Sequence, residues 1–342
     1  MDTCPSASEP ESETHPTTHE RPLDTRQPVT SIIAIVLLAT LGAAYLMRAW
    51  FHTSDRLNAV GEDMYALEIA GFLTRGFIPV VVGFLCAIVL FFAKEAARVG
   101  VLAVAGALLF AEVDALPTNF TYFLMHKGVT QLAYLIVDLA IVALAIAVGV
   151  LLSLGPVSQW LRAHRKTRRG YADSGVYSTE DSTPPIRPGW IVIVVMLLGL
   201  IALAHIGYSV FWIATSTGGS SPASVNSFAI SQIVIILSIV VAAVLSFLGV
   251  AAGRTLAIAV SGYAIFGALV WLGSFMTMPP ADVVADPADS AIMGFLAADY
   301  TVSAAAGIVT LVLLGGRQCV DWFYVKESSK PVRTLTQTST PS

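Results

Sequence analysis

The sequence predicts an all-α fold: a polytopic transmembrane helical bundle of eight spans, arranged as two parallel four-helix repeats. Three observations predict it. The 342 residues are 56% hydrophobic and only 12% charged, with mean hydropathy +0.75, against about 25% charged residues in a soluble chain. Apolar runs long enough to cross ~30 Å of hydrocarbon recur along the chain. Finally, a basic turn and an intramembrane aspartate each occur twice at nearly constant spacing.

Taken in order, residues 1–30 are rich in Pro, Ser, Thr and Glu, cannot bury an apolar core, and read as a disordered N-terminal segment. They lack the basic stretch of a cleaved signal peptide, so the first apolar run is expected to stay as an anchor. The expected spans are 31–51, 76–93, 99–116, 130–154, 189–213, 227–250, 255–275 and 291–315. Residues 31–155 form the expected first repeat, 156–188 a basic linker, and 189–316 the second repeat. The tail 317–342 is expected to be disordered after about 327.

Loop charge sets the expected orientation. Lys94, Arg98 and Arg254 lie in tight turns, the linker carries Arg162, Arg165, Lys166, Arg168 and Arg169, and the end of the last span is followed by Arg317 and Lys326. The opposite loops carry Arg56, Arg75 and Lys127 against Glu62, Asp63, Glu68, Asp282, Asp286 and Asp289. The positive-inside bias then places both termini in the cytoplasm of a multi-pass protein of a bacterial plasma membrane. Trp50, Trp212 and Trp271 fall at the outer boundary, and Trp160, Trp190 and Trp322 at the inner one. Basic residues in 162–169 are expected to meet anionic inner-leaflet lipid rather than nucleic acid.

The repeat rests on register. Arg98 and Arg254 stand 156 positions apart, and at that offset Ala103, Val104, Gly106 and Phe110 meet Ala259, Val260, Gly262 and Phe266. The last spans of the halves match at an offset of 161, which places Asp138 on Asp299. Four helices per unit is an even number, so the copies share one orientation and relate by an axis along the membrane normal. Gly249 and Gly253 form a GxxxG pattern expected to permit close helix contact.

Asp138 and Asp299 each stand eight residues inside their spans, hence ~12 Å deep and near the midplane. A central Asp costs ~2.5–3.5 kcal/mol to insert, and such groups face a bundle interior or wet cavity and find a partner. His205 matches Asp299 in depth and is its expected partner; Tyr45 and Arg48 are the expected partners of Asp138. Asp138, Asp299 and His205 are therefore the candidate proton- or ion-coupling residues. Glu112 and Asp114 lie within about one turn of the outer end of their span, where water and headgroups reach, and read as a solvated outer-rim pair or a vestibule cation site.

No CxxC, HExxH, GxSxG or P-loop pattern occurs, and neither a metal site, a cofactor nor a catalytic residue is expected. Met125, His126, Met276 and Met278 are soft ligands, too few for a copper site. Three functions fit: a secondary transporter or permease using near-midplane Asp and His groups, a non-catalytic scaffold or partner subunit of a cell-envelope complex, and an intramembrane enzyme acting on a lipid. The first is preferred, and the chain is expected not to be an enzyme. The lipid bilayer is the expected partner, with a membrane protein or a second copy compatible as well.

Overall fold

The structure, a computed structural model, describes residues 27–59, 65–92, 94–161, 188–216, 222–276, 287–316 and 318–320, with 322 and 323. The expected disordered stretches, most of the basic linker and the loop holding Asp282 and Asp286 lie outside the described residues.

All regular elements among the described residues are helical. They are α1 (Val29–Ala59), α2 (Tyr65–Phe72), α3 (Ile78–Phe91), α4 (Glu95–His126), α5 (Val129–Ser153), α6 (Gly189–Ser216), α7 (Pro222–Phe247), α8 (Ala251–Met276) and α9 (Pro287–Gly315). Seven of these are long and apolar enough to cross a membrane. The expected span 76–93 is different in kind. Its α-helix, α3, has 14 residues, and the π-helical turn Leu73–Phe77 joins it to α2.

Most helices bury a narrow seam and leave the rest of an apolar surface outside. On α7, Ser231, Gln232, Ile235, Ile239, Ala242 and Ser246 are buried, whereas Ile230, Ile233, Leu237 and Val240 are exposed. In water that outer face would be unstable, but in lipid it is the solvated one, and polar side chains go to the interior instead.

The middle of the bundle is made by α4 and α8, which pack along each other. α4 also packs on α3, α5 and α7, α8 on α7 and α9, α1 on α5, and α6 on α7 and α9. Small residues allow the central approach. A Cβ on Gly106 would strike the backbone of Ala259, and a Cβ on Gly262 would strike the backbone of Ala103. Gly106 and Gly262 therefore each face the residue three positions before the other.

Two expectations about loops are corrected. α4 runs through Pro117 to His126, and Lys127 in the left-handed conformation ends it (φ 47°). Residues read as an outer loop are helix, because packing carries the helix past the single bond that Pro removes. Gly249 and Gly253 do not form an interhelical GxxxG face. Gly249 takes φ 72° in the turn after α7, and Gly253 abuts the backbone of Leu245 and Ser246 across that turn.

Beyond α5 and beyond α9 lies a short buried segment that the sequence does not announce. After α5, Val157, Trp160 and Leu161 are buried, and after α9 so are Cys319, Trp322 and Phe323. Trp322 packs edge-on against Trp190 at 6.3 Å between ring centroids. At the same end of the bundle, Glu95 joins the two central helices: its Oε1 accepts from Arg254 Nη2 at 2.9 Å and Arg98 Nη1 at 3.3 Å. Arg254 also donates to the Leu314 carbonyl through Nε and Nη2 (3.1 and 2.9 Å), which ties α8 to the end of α9.

Candidate functional site

Two groups of polar side chains occupy the apolar interior, one among α1, α4 and α5 and one between α4 and the helices from α6 to α9, so that α4 contributes an acid to both. Glu112 sits near the midpoint of this 32-residue helix. Asp114 lies two residues further on, which rotates it by about 200° around the helix axis. Glu112 accordingly faces α1 and α5, and Asp114 faces α7. The expected outer-rim pair is corrected on both counts. The two acids lie deep, with Glu112 fully buried, and they serve different sites.

The first site contains one cation between two carboxylates. Arg48 Nε on α1 donates to Asp138 Oδ1 on α5, and Arg48 Nη2 lies 3.1 Å from Glu112 Oε2. Asn119 Nδ2 donates to the other Asp138 oxygen at 2.6 Å. Asp138 and Glu112 are fully buried, and the Arg48 side chain is 16% exposed. Glu112's two oxygens lack a hydrogen bond of good geometry, so its attraction to Arg48 is ionic. The pairing of Asp138 with Arg48 expected from depth is present. Tyr45, the other expected partner, is buried one turn before Arg48 and lines the second site.

The second site is a cavity of about 230 Å³ lined by residues of α1, α4, α6, α7, α8 and α9. Its acids are Asp114 and Asp299. Asp114 Oδ1 accepts from Ser231 Oγ at 2.8 Å and Gln232 Nε2 at 2.9 Å, both neutral donors. Asp299 is half-buried and makes no hydrogen bond or ion pair with any described residue.

The expected Asp299–His205 bond is not formed. Both residues line the cavity, but His205 Nδ1 donates to the Ile201 carbonyl of its own helix at 3.0 Å. That leaves Nε2 without a hydrogen-bond partner among the described residues. Matching depth brought the two groups to one cavity, and rotation about the helix axes kept them from bonding.

Aromatic rings make up much of the remaining wall. Tyr208, Tyr263 and Tyr300 line the cavity, with Tyr208 and Tyr300 at 5.8 Å and His205 and Tyr263 at 5.6 Å between centroids. Behind them stand Phe228 against Tyr208 (5.8 Å), Phe110 against Tyr263 (5.7 Å) and Trp271 stacked on Tyr300 (5.9 Å). Ser303 also lines the cavity, and its buried Oγ has no hydrogen-bond partner among the described residues.

The sequence reading missed Asn119, Ser231, Gln232, Ser303 and the three tyrosines. A detectable signal existed for two of them: Ser231 and Gln232 interrupt an otherwise apolar span, and such polar residues normally face the bundle interior.

Fold and site together define a multi-pass helical membrane protein with ionisable groups buried in its core. Comparison with protein families, curated proteins and solved structures finds no match to this chain. Among the described residues, no three His, Cys, Asp or Glu side chains converge as a metal set.

Proposed function

We propose that this chain is a secondary transporter whose translocation site is the cavity holding Asp114, Asp299 and His205. The observation that carries the proposal is the Asp299 carboxylate, unpartnered among the described residues, in a cavity near the middle of an apolar bundle. A carboxylate at that depth without a built-in counter-ion is a cost that structure alone does not repay. It is accounted for when a proton or cation occupies the site during part of a cycle. Glu112, Arg48 and Asp138 form the adjoining charge relay: two carboxylates around one guanidinium balance when the pair shares one proton.

The same reading takes the chain as eight crossings in two parallel repeats, with both termini cytoplasmic in a bacterial plasma membrane. Support comes from reciprocal contacts. Gly106 meets Ala259 and Gly262 meets Ala103, and at an offset of 156 each contact is the image of the other. At an offset of 160, buried Ala34, Leu38 and Leu41 of α1 fall on buried Val194, Leu198 and Ile201 of α6. At 162, buried Val157, Trp160 and Leu161 fall on buried Cys319, Trp322 and Phe323. Alternating access then amounts to rocking one half against the other about the α4–α8 contact. Glu95 with Arg254 closes the end where α4 and α8 begin.

The test uses proteoliposomes containing the full chain and an internal pH dye, challenged with a panel of amino acids, amines and inorganic cations under an imposed potential. The expected result is protein-dependent proton movement elicited by a panel member and lost in Asp299→Asn. If no member elicits movement, or if the Asp138→Asn/Asp299→Asn double variant keeps the full response, the transport reading is refuted. Stable isolation only as part of a larger envelope complex, without flux, would favour the scaffold role.

A further inference from the structure

We infer that the cavity between α4, α6, α7, α8 and α9 binds a small organic ammonium ion, held by Asp299 and Asp114 and enclosed by the rings of Tyr208, Tyr263 and Tyr300. The inference deepens the transport reading, on which it rests for the role of the site.

Charge comes first. Among the described residues the cavity wall has two carboxylates and no Lys or Arg, and the groups bonded to Asp114 are neutral. The other half of the chain shows the same position filled. At an offset of 161 Asp299 stands where Asp138 stands, and at the α1-to-α6 offset of 160 Tyr208 stands where Arg48 stands. In the first half the carboxylate is neutralised by a guanidinium belonging to the protein. In the second half the guanidinium is replaced by a tyrosine, and the space holds a cavity. At offset 156 Glu112 falls on Ala268, and α4 supplies the cavity's second acid as Asp114; the second site thus keeps two carboxylates without the guanidinium, and an external cation restores the balance.

The wall chooses among cations. Ring faces attract an ammonium or quaternary ammonium through the quadrupole and offer nothing to a hard metal ion, which needs about six or more close oxygens. The rings are held in place, because Phe228, Phe110 and Trp271 pack behind Tyr208, Tyr263 and Tyr300. An aromatic cage with fixed walls loses little freedom on binding.

Two further groups point to a ligand with hydrogen-bonding atoms. Ser303 Oγ is buried, and neither it nor His205 Nε2 has a partner among the described residues. Buried polar atoms of this kind are normally satisfied, and an amine N–H or a hydroxyl on the ligand satisfies them. At about 230 Å³ the cavity is smaller than the ~300–1,000 Å³ typical of drug-sized ligands, which limits the occupant to a small amine.

The experiment is equilibrium binding to the full chain in lipid nanodiscs, read by calorimetry. The probes are tetramethylammonium, choline and ethylammonium chlorides, with sodium chloride and 3,3-dimethylbutan-1-ol (the neutral isostere of choline) as controls. At least one ammonium should bind saturably, while the controls give no saturable heat. Asp299→Asn should weaken binding by about tenfold or more, as should Tyr300→Leu, while Tyr300→Phe keeps the ring and most of the affinity. Since Asp299 makes no bond to a described residue, its Asn variant retains the fold, which an unchanged thermal unfolding profile verifies.

The inference is overturned if no ammonium saturates up to about 10 mM, well beyond the millimolar end of specific binding. Equal binding of the neutral isostere, or undiminished binding by Asp299→Asn, overturns it as well. Binding needs no gradient, so the two readings fail separately. Ammonium binding without flux refutes transport alone, and flux without ammonium binding refutes the ligand class alone.

Discussion

Replacing Arg48 with methionine removes the cation from a site that keeps two buried carboxylates. The loss comprises the Nε bond to Asp138 and the Nη2 contact at 3.1 Å to Glu112. Two unit charges at that distance attract by about 5 kcal/mol at an effective dielectric of 20. Desolvation of the guanidinium takes back part of this, and Arg48 is still 16% exposed, so solvent weakens it further. Asn119 continues to donate to Asp138 at 2.6 Å and saves a neutral bond. The net expectation is a destabilisation of about 3 kcal/mol, the low end of the range for orphaning a buried charge.

Steric-trap or SDS unfolding of the protein in bicelles measures this change. The sign pattern is the stringent part. Asp138→Asn leaves one carboxylate facing one guanidinium and should cost clearly less than Arg48→Met. The triple variant Arg48→Met/Glu112→Gln/Asp138→Asn should recover most of the loss, since uncharged replacements of buried ion clusters are often neutral. An Arg48→Met variant within about 0.5 kcal/mol of the parent would refute the reasoning, as would a triple variant no more stable than the single one.

Two other outcomes follow from the geometry. Gly262→Val sets a side chain against the Ala103 backbone, and overpacking of this kind costs typically about 1–3 kcal/mol or more; size-exclusion profiles should show loss of monodisperse protein, while Gly149→Val, where nothing lies within 4 Å of the added Cβ, keeps it. Cys319 should be inert in the folded protein: burial pushes its thiol up to about 12 although neighbouring Arg254 acts to lower it. In a variant retaining only this cysteine, maleimide labelling near pH 8 should be at least about tenfold slower in the native state than in SDS, because the thiolate is the reactive form. A raised folded value disfavours the folded state once pH exceeds the ordinary thiol range, about 8.5: the unfolded chain then loses a proton that the folded chain keeps, which opposes folding. The folded thiol therefore costs stability as pH climbs from about 8.5 toward 12 and is neutral below that window.

Much of the axial layout was legible in sequence. Apolar runs locate the helices, and depth along them puts Arg48 within reach of Asp138, to which it bonds. Glu112 and Asp114 lie inside the bundle rather than on its rim, because their helix continues through Pro117 to His126, past the expected end of the span at 116. Proline removes one backbone bond, and a helix held between α3, α5, α7 and α8 tolerates that loss. His205 and Asp299 were matched by depth alone, which places groups in one layer without deciding whether they touch.

The sequence by itself determined that this is a multi-pass helical membrane protein and which ionisable groups fall within its apolar runs. A bilayer is a solvent that varies along one axis, so hydropathy along the chain reads directly as depth. Only the tertiary structure decided partners: Arg48 with Asp138 and Glu112, Asp114 with Ser231 and Gln232, and Asp299 with none of the described residues. Partner choice depends on the rotation of each helix about its own axis. Helices apolar on nearly every side carry little sequence record of that rotation, which is set by close contacts such as Gly106 on Ala259 and Gly262 on Ala103.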